Sequence, residues 1–147
     1  PLLGLFGGLI PLAAGVDARF GPSVQFGLII KFAAIVMIIG GYVLGSYALI
    51  SNRFFSGMVR IQSDREHRVV NSGPYRWVRH PGYVGAIMSY LATPFFLDSL
   101  WTFIPVFLAL GVIIIRTNLE DNALKEKLEG YREYTQDVRY RLIPGVW

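Results

Sequence analysis

Residues 24–50 read VQFGLIIKFAAIVMIIGGYVLGSYALI, 27 positions with one charge, Lys31, near the start. A helix needs about 20 apolar residues to cross the hydrocarbon core of a bilayer, so this stretch predicts a membrane span outright. Residues 1–15 (PLLGLFGGLIPLAAG) are apolar but short for a full span. Residues 83–97 and 100–115 are two further apolar stretches separated by Asp98 and Ser99. They predict a tight helical hairpin that turns at residues 97–100 and is shortened or bent near Pro94 and Pro105. The expected fold is therefore all-α. One domain, residues 1–147, forms an integral membrane multi-helix bundle of about four spans, with a cytoplasmic C-terminal helix and a docked tail.

Composition agrees with the spans. With Gly counted and Tyr left out, roughly 58–59% of the 147 residues are apolar, against about 45–50% for soluble domains. Charged residues make up 16%, where about 25% is usual. A small domain leaves too much surface in water to hide that excess, and disorder is excluded by the same numbers. There is no cysteine, and the two histidines are His67 and His80, so neither a disulfide nor a metal centre is expected. The chain starts at Pro1 inside an apolar run and has no basic leader. It reads as a truncated or processed chain that has lost an upstream span, not as an intact signal peptide.

Basic residues set the expected orientation. Segment 51–82 carries Arg53, Arg60, Arg65, Arg68, Arg76 and Arg79 against Asp64 and Glu66, and the tail from Arg116 adds six more cations. The remaining loops hold only Asp17 with Arg19, and Asp98. The positive-inside rule places segments 51–82 and 116–147 in the cytoplasm. The net charge of +4 then reflects topology and contact with anionic lipid, with no nucleic-acid partner implied. Gly4-x3-Gly8 and Gly41-x3-Gly45 are read as helix-packing positions.

Candidate chemistry gathers in the two cytoplasmic segments. Residues 69–85 read VVNSGPYRWVRHPGYVG. Ser72-Gly73-Pro74 is a turn signal, and His80-Pro81 forces a break just before the next span. Trp77 and Arg76 suit an interfacial anchor. His80 and Tyr83 stand at the mouth of a span, where polar groups are costly and usually have a task. In residues 116–147, a helical wheel begun at Leu119 places an apolar face through Ala123, Leu124 and Leu128, with Glu120 in its middle. Asp121, Lys125, Glu126 and Glu129 fall on the wet side, which makes Asp121 with Lys125 a solvated pair. An inward Glu120 needs a partner: Arg116 one turn earlier, His80, or a cationic ligand. No P-loop, dinucleotide fingerprint or nucleophile elbow is present.

Taken together, RHPGYVG (79–85) after GPYRWV, Arg116-x3-Glu120-Asp121, the pair Tyr131-x2-Tyr134 and RLIP (141–144) resemble the isoprenylcysteine carboxyl methyltransferase family, relatives of the membrane phospholipid methyltransferases. The likeness extends over about residues 17–147. It implies a multi-pass enzyme that holds S-adenosylmethionine at the cytoplasmic face and methylates a lipophilic or lipidated acceptor, such as a prenylcysteine carboxylate. It also implies that the backbone around Tyr75, Val78 and Arg79, the side chains of His80 and Tyr83, and the acids Glu120 and Asp121 bind the cofactor. Asp121 stands where the family more commonly has Glu, so its reach is shorter. Arg139 or Arg141, with Tyr134, would position the acceptor. Two other readings make different demands. A membrane steroid-type reductase would bind NADPH and need an extra basic cluster for its 2′-phosphate, whereas a non-catalytic scaffold would bind neither cofactor.

Overall fold

The structure, a computed structural model, describes residues 2–21, 24–54 and 68–147. Five α-helices and a short 3-10 turn make up the regular structure of these residues. They are α1 (Leu2–Phe20), α2 (Leu28–Ser51), the 3-10 turn Gly73–Arg76, α3 (Pro81–Phe96), α4 (Phe103–Lys127) and α5 (Tyr131–Asp137). The all-helical expectation holds. Residues 55–67, which include Arg60, Arg65 and His67, lie outside the described residues. α1, α2 and α4 are long and apolar enough to cross a membrane, whereas α3 has only 16 residues.

Two boundaries differ from the sequence reading. α1 does not stop at residue 15 but runs on through Asp17 and Arg19 to Phe20, giving 19 residues. α4 does not stop at residue 115 either, and it passes unbroken through the polar positions Arg116, Glu120 and Asp121 to Lys127. Nothing in that stretch breaks a helix, because Gly and Pro are absent between Val112 and Glu129. Past Lys127 the chain turns at Gly130, in the left-handed region at φ 78°, which leads into α5.

The chain divides into two compact units, Pro1–Tyr42 with Gly85–Ile114 and Val43–Val84 with Ile115–Trp147. In the first, the α3–α4 turn falls at the expected LDSL, with Asp98 at φ 53°, a conformation that Asp tolerates better than most residues. The Asp98 carboxylate accepts the Phe26 amide at 2.8 Å and pairs with Lys31. Asp17, almost fully buried, accepts Ser99 Oγ at 2.6 Å and the Trp101 amide at 3.2 Å. One carboxylate thus ties the last turn of α1 to the start of α4, where free amides favour negative charge. α2 is apolar on all sides, and Leu28, Ile29 and Ile50 remain exposed. In a membrane protein such a surface faces lipid.

Of the four paired glycines, one makes a close contact. A Cβ on Gly41 would collide with the Gly85 carbonyl and Ser89 Oγ, whereas Gly4, Gly8 and Gly45 have nothing within 4 Å. Gly41→Ala should therefore cost about 1–3 kcal/mol through overpacking, and Gly45→Ala should be neutral or slightly stabilising. Thermal unfolding in detergent, followed by circular dichroism, checks the pair.

Candidate active site

The second unit gathers most of the polar residues singled out by sequence. Gly73 opens its turn at φ 57°, with Ser51 Oγ and the Tyr47 hydroxyl close to where a Cβ would stand. Only glycine suits that conformation and that approach. The following residues Pro74 and Tyr75 are buried, as are Val78, Arg79 and His80. The strap 79–80 is held by main chain: the Arg79 and His80 amides each donate at 3.0 Å, to the carbonyls of Tyr140 and Arg141. Pro81 then starts α3 without needing an amide donor.

Asp121 is the centre of this unit, with 0% exposure. Its Oδ1 accepts Arg79 Nε at 2.7 Å and the Tyr131 hydroxyl at 3.1 Å. Its Oδ2 accepts Arg79 Nη2 at 3.2 Å and Arg141 Nε at 2.9 Å, and pairs with Lys125 Nζ at 2.9 Å. Arg79 is itself fixed, since Nη1 donates to the carbonyls of Val138 at 2.7 Å and Arg139 at 2.6 Å. Three cations on one carboxylate is the kind of arrangement that makes a buried charge tolerable. Burial and the adjacent Asp121 charge push the Tyr131 phenol well above its usual value, so it serves as a neutral donor. His80 Nε2, also buried, lies 3.6 Å from Asp121 Oδ1 and has no hydrogen-bond partner among the described residues.

Beside this cluster runs a second chain of polar contacts. Arg116 Nε donates to the Tyr83 hydroxyl at 2.6 Å, and that hydroxyl donates to Glu120 Oε2 at 2.7 Å. The rings of His80 and Tyr83 stack with centroids 5.8 Å apart. Glu120 is half-buried, and its pairing with Arg116 passes through the tyrosine oxygen. Its carboxylate keeps acceptor capacity that this one hydrogen bond does not use.

Two expectations about Asp121 need correction. Asp121 is not on a wet face, and its pair with Lys125 is not a solvated one. A wheel begun at Leu119 misleads because that residue is 58% exposed. The Tyr134 hydroxyl donates to the Tyr75 carbonyl at 2.7 Å in the buried interior. Arg141 spends its Nε on Asp121 and lies over the Trp147 ring at 5.0 Å. Arg139 contributes its carbonyl to the cluster while its side chain is on the surface. Tyr134→Phe should cost about 1–2 kcal/mol, since the Tyr75 carbonyl is then left unpaired in a buried place. The check is a thermal melt, in which the transition should come at a lower temperature with helix content before it unchanged.

A multi-pass helical membrane protein with an Arg–His–Pro strap bound to a buried acid is the class these features define. The chain matches the isoprenylcysteine carboxyl methyltransferase (ICMT) family over residues 32–126, well over half its length, and it belongs to that family. Proteins from Oryza sativa, subspecies indica and japonica, each named a probable protein-S-isoprenylcysteine O-methyltransferase, are 30% identical to it over 73 residues. That match takes in 49% of this chain and 38% of each rice protein. A solved structure of a eukaryotic intramembrane Ras methyltransferase, ICMT, superposes on 97% of this chain and 52% of its own, with a TM-score of 0.78 at 22% identity. At that identity the superposition speaks for the fold. The chain spans about half the length of that structure and less of the rice proteins.

Proposed function

We propose that this chain acts as an S-adenosylmethionine-dependent carboxyl methyltransferase on an acceptor embedded in the membrane, a prenylcysteine carboxylate being the best candidate. One observation carries the reading. The Glu120–Tyr83–Arg116 chain stands against His80, whose buried Nε2 lacks a hydrogen-bond partner among the described residues. A molecule bearing both positive groups and a carboxylate fits that set, because Glu120 can accept from an ammonium and His80 is a ready polar partner. When bound, the cofactor supplies a methyl group activated by a sulfonium centre.

The protein's own residues then have distinct tasks. Glu120 binds the cofactor's cationic end, and Tyr83, gripped by Arg116, fixes the direction of the Glu120 carboxylate. His80 and the main chain from Tyr75 to Arg79 line the same site. Asp121 does not touch the cofactor in this reading and instead holds Arg79 and Arg141 so that the strap keeps its shape. A carboxylate acceptor is already ionised, so the protein need only align it and requires no general base; alignment alone can supply a large part of a rate enhancement. The basic residues of segments 51–82 and 116–147 favour a cytoplasmic site.

Calorimetric titration of the detergent-purified chain tests the cofactor. S-adenosylmethionine should bind and NADPH should not. Binding of NADPH alone would make the protein a reductase, and binding of neither would make it a scaffold. Mass measurement of methyl transfer to a prenylcysteine mimic, with extracted lipids in parallel, then tests the acceptor. Transfer to the lipids alone would reject the carboxylate.

A further inference from the structure

A groove of about 430 Å³ lies on the second unit, lined by Arg76, Trp77, Asp137, Arg139, Tyr140 and Pro144 among others. Trp77 is 67% exposed although it is only two residues from the buried Arg79. On either side of Pro144, Ile143 and Val146 are also exposed, at 51% and 76%. Arg76 and Arg139 make no ion pair among the described residues, and Asp137 is the only acid in the lining. The groove is therefore aromatic and net positive.

The chain itself keeps the groove near the start of α3. Trp77 precedes Pro81, the first residue of α3, by four positions, so an extended chain could separate them by no more than about 14 Å. The lining is closer still on the other side, because the Tyr140 carbonyl accepts the Arg79 amide. The polar zone of a bilayer adds roughly 5–8 Å on each side of the hydrocarbon. Trp and Tyr concentrate there, and arginines there attract anionic lipid.

From this juxtaposition we infer that the groove formed by Arg76, Trp77, Arg139 and Tyr140 seats the headgroup of an anionic phospholipid. The two guanidinium groups take the phosphate, and the Trp77 and Tyr140 rings lie along the glycerol and upper acyl chain. This seat uses the side chains of Arg76 and Trp77, whereas only the main chain at those positions is assigned to the Glu120 site. It needs neither S-adenosylmethionine nor methyl transfer, so it stands or falls independently of the proposed activity.

Native mass spectrometry of the whole chain in detergent, titrated with phosphatidylglycerol or phosphatidylcholine, provides the test. Phosphatidylglycerol should bind more tightly than phosphatidylcholine. An exposed cation near an anionic surface is worth about a fivefold gain in binding, so the double variant Arg76→Gln with Arg139→Gln should weaken phosphatidylglycerol roughly 30-fold. Phosphatidylcholine, whose phosphate charge is offset by its own ammonium, should weaken clearly less. Gln keeps much of each side chain's stem, which separates lost charge from lost packing. Trp77→Ala should weaken both lipids. Wild-type affinity for phosphatidylglycerol in the double Gln variant would overturn the assignment. So would displacement of the lipid by millimolar inorganic phosphate, which would make the groove a site for a free anion.

Discussion

Asp121→Ala should be the most damaging single substitution in the chain, lowering stability by about 3–5 kcal/mol. The carboxylate is completely buried and is shared by Arg79, Arg141, Lys125 and Tyr131. Removing it leaves the buried Arg79 guanidinium without its counter-charge, and breaking a buried pair from one side costs about that amount. Whole domains are stable by only about 5–15 kcal/mol. The helical signal of the purified protein should therefore be lost at a markedly lower temperature. Lys125→Ala removes one partially exposed contact and should cost no more than about 1 kcal/mol. Equal melting of the two variants would show that Asp121 does not hold this unit together.

Glu120→Gln should behave in the opposite way, losing ligand affinity while keeping the fold. Gln preserves an oxygen to accept the Tyr83 hydroxyl, and residue 120 is only half-buried, so the melting temperature should barely move. A hydrogen bond to a charged partner is worth about 1.5–3 kcal/mol. S-adenosylmethionine should accordingly bind roughly 10–150-fold more weakly. Tyr83→Phe should produce part of the same loss, since it removes the oxygen through which Arg116 holds the carboxylate. Calorimetry on the two variants, each with a melt alongside, separates binding from folding. Wild-type affinity in Glu120→Gln would remove this acid from the proposed cofactor site.

The spans are readable because a bilayer asks for length and apolarity, and residues 24–50 supply both without a competing signal. The α3–α4 turn is equally plain, since Asp98 and Ser99 interrupt two apolar runs. The role of Asp121 escapes a local reading for a specific reason. α4 is one helix, and its buried positions Val106, Ala109, Ile113 and Thr117 already follow a helical stripe. Carrying that stripe forward at about 100° per residue brings both Glu120 and Asp121 to within about 80° of the inner face. Starting afresh at Leu119 turns the wheel away, because this leucine faces outward. In a membrane protein an exposed leucine is no guide to the interior. The link from Arg79 to the carbonyls of Val138 and Arg139 spans 59 and 60 residues. No local pattern announces such a contact, because it depends on where two distant stretches of chain meet. The RHP and RLIP segments are recognisable as words, but their pairing through Tyr140 and Arg141 is not.

That long-range grip has a consequence for how the protein is made. Arg79 leaves the ribosome well before Asp121, 42 residues later, and before the carbonyls at 138 and 139 that complete its set. At about 5–20 residues per second, it waits roughly 3–12 s before all of its partners exist. The spans can insert during that interval, whereas the site can close only after translation has passed residue 141. Nascent chains arrested before that point should resemble inserted helices without a locked strap, and added ligand should give them little protection from protease.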